Sequence, residues 1–122
     1  MKLVVALVVS ACFDVTLAAQ LHRARRWTAP AASASRQNPL INRPEAAAGG
    51  KKLFHQRCSV CHGEDGTGTH RGPNLTTRRV LQQSDGELFW KISSGNTRSG
   101  MPSFSFLPEL QRWQLVLYLR TA

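Results

Sequence analysis

Five consecutive residues, Cys58-Ser59-Val60-Cys61-His62, constrain this chain more than any other stretch. Two thiols so spaced lie on one turn of helix, where each can add across one vinyl group of a porphyrin. The histidine that follows is carried beneath the plane held in this way, and a neutral imidazole nitrogen there makes a stable axial bond to iron. Cys-x-x-Cys-His therefore reads as the attachment site of one covalently bound haem c. Two other chemistries use paired cysteines. A dithiol redox pair follows a strand in a βαβ pattern, whereas residues 46–57 read as helix. A tetrahedral zinc site needs four ligands. His55 and His70 are the candidates to complete one, and their spacing fits no common zinc module.

The pattern around the motif is helical. A first helix is expected over residues 45–57, with Ala46, Gly50, Phe54 and Cys58 recurring at intervals of four on a buried face. Glycine within a helix costs about 1 kcal/mol relative to alanine, so Gly50 points to close approach of another helix. Residues 63–72 carry four glycines and form a loop. It ends at Pro73, whose carbonyl could accept the Nδ1 hydrogen of His62 and fix the ring. His70 is expected to be a plain loop residue. Ser84 and Glu87 make a capping box that opens a helix with Leu88, Phe89 and Ile92 buried and Gly95 at its end; Trp90 belongs either to the core or to the haem contact. Proline biases the residue before it away from helix, so Met101 of Met101-Pro102 projects from a loop as a soft sixth ligand for the iron. A last helix opens at Leu107-Pro108-Glu109. Leu110, Trp113, Leu117 and Thr121 make one stripe on it, widened by Leu115, Val116, Tyr118 and Leu119. The fold class is all-α: three to four short helices around one haem.

The N-terminal part reads differently. Met1-Lys2 and the apolar run from Leu3 through Val9 form a signal peptide over residues 1–19, with cleavage after Ala18 or Ala19. The run is too short to span a bilayer, so export to the periplasm is expected. Val9-Ser10-Ala11-Cys12 resembles a lipobox, and lipidation of Cys12 would instead tether the chain to a membrane. Residues 20–44, rich in Ala, Arg, Ser and Pro, hold too few apolar side chains to fold alone and read as a flexible basic segment, with electrostatic contact to a partner or to anionic lipid as its other reading. The folded domain is expected over residues 45–122.

Taken in order, Cys58, Cys61, His62, Gly72-Pro73, Met101-Pro102 and a last helix bearing Trp113 and Tyr118 resemble the class I c-type cytochromes, in their short bacterial monohaem form. The stretch from Asp85 through Trp90 and the ending from Arg112 through Arg120 are also similar to that group. The resemblance implies the cytochrome c fold, covalent haem on Cys58 and Cys61, axial ligation by His62 and Met101, and orientation of His62 by Pro73 from behind the ring. It also implies that Gly50 and Phe54 meet the last helix near Tyr118.

It implies a one-electron carrier with no catalytic residues, working between a dehydrogenase or quinol-oxidising complex and a terminal oxidase or reductase. A haem enzyme or sensor with a labile Met101 ligand is the alternative, and a zinc-binding module is the non-haem one. Sixteen Lys and Arg against seven Asp and Glu give a net charge of +9, which suits redox partners with acidic docking faces. Lys51, Lys52, Arg57, Arg71, Arg78, Arg79, Lys91 and Arg98 belong to segments flanking the haem motif or the methionine loop. No nucleic-acid-binding motif accompanies the charge, so no nucleic acid is expected as partner.

Overall fold

The computed structural model describes residues 27–121. The expected signal segment, Cys12 within it, lies outside the described residues. Six helices are present among the described residues: α1 (Ala31–Ala34), α2 (Ala47–Arg57), α3 (Ser59–His62), α4 (Arg78–Leu81), α5 (Asp85–Ser94) and α6 (Glu109–Leu119). Short 3-10 turns stand at Pro44–Ala46 and Thr97–Ser99. No strand occurs among these residues; the backbone makes only isolated bridges, at Thr69–Gly72 and Asn96–Met101.

The three long helices are those expected, with shifted ends. Pro44 and Glu45 belong to the 3-10 turn, so α2 begins at Ala47. Cys58 then breaks the helix for a single residue before α3 carries Cys61 and His62. At α5 the capping box forms: Ser84 Oγ accepts from the Glu87 amide at 3.1 Å, and Glu87 Oε2 accepts from the Ser84 amide at 2.6 Å. Together these satisfy two amide groups that the helix geometry would leave unpaired.

Helix α6 packs against both α2 and α5 and organises the core. One cluster joins Phe54 of α2 to Phe104, Leu107, Leu115 and Leu119. The other joins Leu88 and Phe89 of α5 to Trp113 and Val116, with the Phe89 and Trp113 rings stacked 3.9 Å apart. Full burial of side chains of this size stabilises by about 1.5–3 kcal/mol each. Of the expected stripe of Leu110, Trp113, Leu117 and Thr121 only Trp113 is buried: Leu117 is half-buried, Leu110 is 58% exposed and Thr121 is exposed as well. The apolar surface of α6 is wider than one stripe, and the positions of α2 and α5 bury Trp113 together with Leu115, Val116 and Leu119.

Residues 27–44 differ from the flexible segment expected there. Helix α1 lies on α5, close enough that a Cβ on Gly86 would stand 2.2 Å from Ser33 O, and Ser84 Oγ donates to Ala34 O at 2.7 Å. The Arg36 guanidinium sits 4.7 Å from the Phe89 ring centroid and pairs with Glu109. Asn38 is 2% exposed. Its Nδ2 donates to Trp113 O at 3.1 Å and its Oδ1 accepts from the Leu40 amide at 2.9 Å, so its burial leaves no polar group unpaired. The composition of this segment does not let it build a core of its own. It adheres because the domain supplies the apolar partner surface, and a few anchors suffice.

Candidate functional site

Phe54, Phe104, Leu115 and Leu119 of the first cluster and Leu88 of the second border a cavity of about 380 Å³, within the range of small-molecule and cofactor sites. Phe54, Leu75, Val80, Leu88, Ile92, Phe104, Leu115 and Leu119 make its walls largely apolar. Cys58, Cys61, His62, Pro73 and Met101 all line it. The capped and paired helices thus bring side chains from three separate sequence regions onto one surface.

Each of these residues is held by its local structure. Both thiols are free. Burial pushes the Cys58 thiol up to about 11, and the neighbouring Cys61 adds to the shift. His62 Nδ1 lies 2.9 Å from Pro73 O. A carbonyl oxygen only accepts, so Nδ1 carries the hydrogen and the lone pair is left on Nε2, the tautomer that can bind a metal. Gly72 packs against this pair: a Cβ there would stand 3.0 Å from His62 Nδ1 and 2.9 Å from Cys61 O. Met101 is half-buried against the Phe54 cluster. It comes from a loop, as its proline neighbour implies, and two backbone hydrogen bonds to Asn96, of 2.9 and 3.0 Å, clamp that loop.

Such an arrangement fits a flat apolar prosthetic group attached through two thiols and met by one imidazole and one thioether. It does not fit zinc. Among the described residues no group of three or more His, Cys, Asp and Glu side chains converges as a metal site. His55 instead pairs with Glu64 at 2.6 Å, and neither it nor His70 lines the cavity.

Charge is distributed less evenly than the sequence implies. Of the eight basic residues flanking the motifs, Arg57, Arg71 and Lys91 line the cavity. Burial holds Lys91 below its ordinary value, against an opposing pull from Glu87, while Arg79 adds to the lowering. Arg120 plays a different part. It reaches Asp85 at 2.8 Å and the carbonyls of Leu81 and Gln83, tying the end of α6 to the start of α5. Trp90 is half-buried and does not line the cavity. Trp27 does, and sequence reasoning missed it. The available signal was a lone tryptophan in a stretch otherwise too polar to bury one.

Comparison with known proteins gives this geometry a family. Residues 45–119 match the family described as cytochrome c oxidase, cbb3-type, subunit III. The chain is 31% identical over 87 residues to the cbb3-type cytochrome c oxidase subunit CcoP of Rubrivivax gelatinosus, an alignment covering 69% of this chain and 29% of that protein. It therefore spans less than a third of that relative's length. The crystal structure of cytochrome cL from the marine methylotroph Methylophaga aminisulfidivorans MPT superimposes with a TM-score of 0.60 at 28% identity, covering 70% of this chain and 60% of that one. Family match, fold and the convergence of Cys58, Cys61, His62 and Met101 agree: the chain belongs to the cbb3-type subunit III family and is a class I monohaem c-type cytochrome domain.

Proposed function

We propose that the chain is an exported one-electron carrier that takes electrons from a dehydrogenase or quinol-oxidising complex and delivers them to a terminal oxidase or reductase, with no chemistry on a substrate. In this reading Cys58 and Cys61 hold one haem c covalently, and His62 Nε2 and the Met101 thioether fill its axial positions. The single observation that carries it is the convergence of these four side chains on one largely apolar cavity. Bound there, the haem supplies a ferric–ferrous couple whose potential the axial ligands and surroundings set. The chain does the rest. Pro73 O fixes the tautomer and orientation of His62. The bridge between Asn96 and Met101 holds the thioether's loop. The apolar walls keep water out, which disfavours the more highly charged oxidised state.

Met101→Ala tests the ligand set. The expected holoprotein has a potential lower by on the order of 0.1 V, a fraction of the ~0.8 V that axial ligands span. It also gains carbon monoxide binding in the ferrous state. An unchanged potential in a variant still closed to carbon monoxide would assign the sixth position to another residue. Peroxidase activity in the parent protein would favour the haem enzyme over the carrier.

The likeness to subunit CcoP makes a cbb3-type oxidase the first partner to test. Arg57 and Arg71 are exposed and line the cavity, which suits an acidic docking face on that partner. Steered association of this kind gains roughly ten- to a thousandfold in rate and falls steeply with ionic strength. The expected second-order rate drops about tenfold from low to physiological salt, and Arg57→Glu with Arg71→Glu slows it more than Arg43→Glu. Among the described residues Arg43 pairs with the exposed Glu45, and it does not line the cavity. Equal effects from the two reversals would reduce the basic residues to a solvated surface. The leader over residues 1–19 supports a periplasmic location, with lipidation at Cys12 as the tethered alternative.

A further inference from the structure

The segment preceding the family match supplies part of the cavity wall. Trp27 lines the cavity beside Lys91 and Asn96. Its indole Nε1 donates to Gly95 O at 2.7 Å, and Lys91 Nζ stands 4.9 Å from the indole ring centroid. Gly95 adjoins the backbone that carries Met101. A Cβ on Gly95 would stand 2.5 Å from the carbonyl of Pro102, and the next residue, Asn96, makes both backbone hydrogen bonds to Met101. The indole is itself held in place, because Arg36 and Asn38 pin the same segment to α6. The match to the subunit III family begins at residue 45, so this brace lies outside it.

We propose that Trp27 is a positioning residue for the Met101 loop: the pinned N-terminal segment braces Gly95 and Asn96 through the indole, keeps the thioether at its station, and closes that side of the cavity to water. This rests on Met101 as the axial ligand. The test is an imidazole titration of the ferric holoprotein, in which imidazole competes with the thioether for the sixth position, run alongside the reduction potential and the weak far-red absorbance of an iron–methionine bond. Trp27→Ala removes wall and donor together, and its expected imidazole affinity rises about tenfold or more, with a lowered potential and a weakened far-red absorbance. Trp27→Phe keeps most of the wall and loses only the donor. Loss of one net hydrogen bond predicts a rise of roughly fivefold. Thr28→Ala, an exposed neighbour, should match the parent. Parent-like affinity, absorbance and potential in both Trp27 variants would overturn the brace while leaving the ligand reading intact. A parent protein without iron–methionine absorbance would overturn both.

Discussion

The double variant Cys58→Ala, Cys61→Ala is expected to lack covalent haem and to melt without a cooperative transition. The cavity is walled by Phe54, Phe104, Leu115 and Leu119 of one hydrophobic cluster and by Leu88 of the other, so much of the core is built around what fills it. A void costs about 24 cal/mol per Å³ when its walls cannot collapse; for a cavity of about 380 Å³ this is roughly 9 kcal/mol. Water entering from the open side lowers that cost, yet it then wets Phe54, Leu88, Phe104 and Leu115. Small domains hold only about 5–15 kcal/mol in total, so either outcome consumes most of it. Thermal unfolding followed by circular dichroism is the measurement. A transition in the double variant as sharp and as high as the holoprotein's would mean that the protein core suffices alone.

Gly50→Ala is expected to destabilise strongly although alanine is the better helix former. Propensity favours the substitution by about 1 kcal/mol. Against it, the new Cβ would stand 2.0 Å from Gln114 O and 2.9 Å from Tyr118 Cβ. The first of these is backbone within α6 and cannot swing aside. Helices α2 and α6 would have to separate, loosening the contact of Phe54 with Tyr118, whose ring centroids are 5.4 Å apart. Overpacking of this kind costs about 1–3 kcal/mol and more when backbone is involved, so packing outweighs propensity. The expected fall in Tm is about 10 °C, taking roughly 4–8 °C per kcal/mol for a domain of this size. Gly49→Ala is the internal contrast. Its Cβ would meet only the Gln114 side-chain amide, at 2.7 Å, which can move away. Equal behaviour of the two variants would show that the helices are not locked at Gly50.

The difference between these two glycines was partly legible beforehand. Gly50 falls on the same four-residue interval as Phe54, so close approach was readable from the pattern, and the attachment motif, the capping box and the Met101 loop were readable for similar reasons. Each is a local signal whose chemistry demands particular residues at fixed spacing. On α6 the apolar residues were readable, but not which of them are left exposed. Leu110 and Leu115 are equally apolar, and only the placement of α2 and α5 decides between them. The ordered segment from Trp27 to Leu40 was hidden for another reason. Its order comes from Asn38 reaching a backbone carbonyl on α6 and from Arg36 lying on Phe89 and Trp113. Such long-range polar contacts leave no periodicity behind. Arg120 was hidden in the same way: nothing in its spacing marks the side chain that ties α6 to α5.

That tie bears on the electron transfer proposed above. Arg120 fastens α6 to Asp85 and to the carbonyls of Leu81 and Gln83. Ser103 Oγ and the Phe104 amide bond back to Ser93 O and Ile92 O on α5. These bonds fasten α5 both to the end of α6 and to the segment after Met101, and close-packed interiors compress little. If one unit of charge arrives or leaves beside them, as the proposed function requires, few of the fastened dipoles have room to turn in response. On the carrier reading, the work of rearranging the surroundings, which slows electron exchange wherever water or mobile side chains must reorient, is then limited by the same fastening that holds the last helix down.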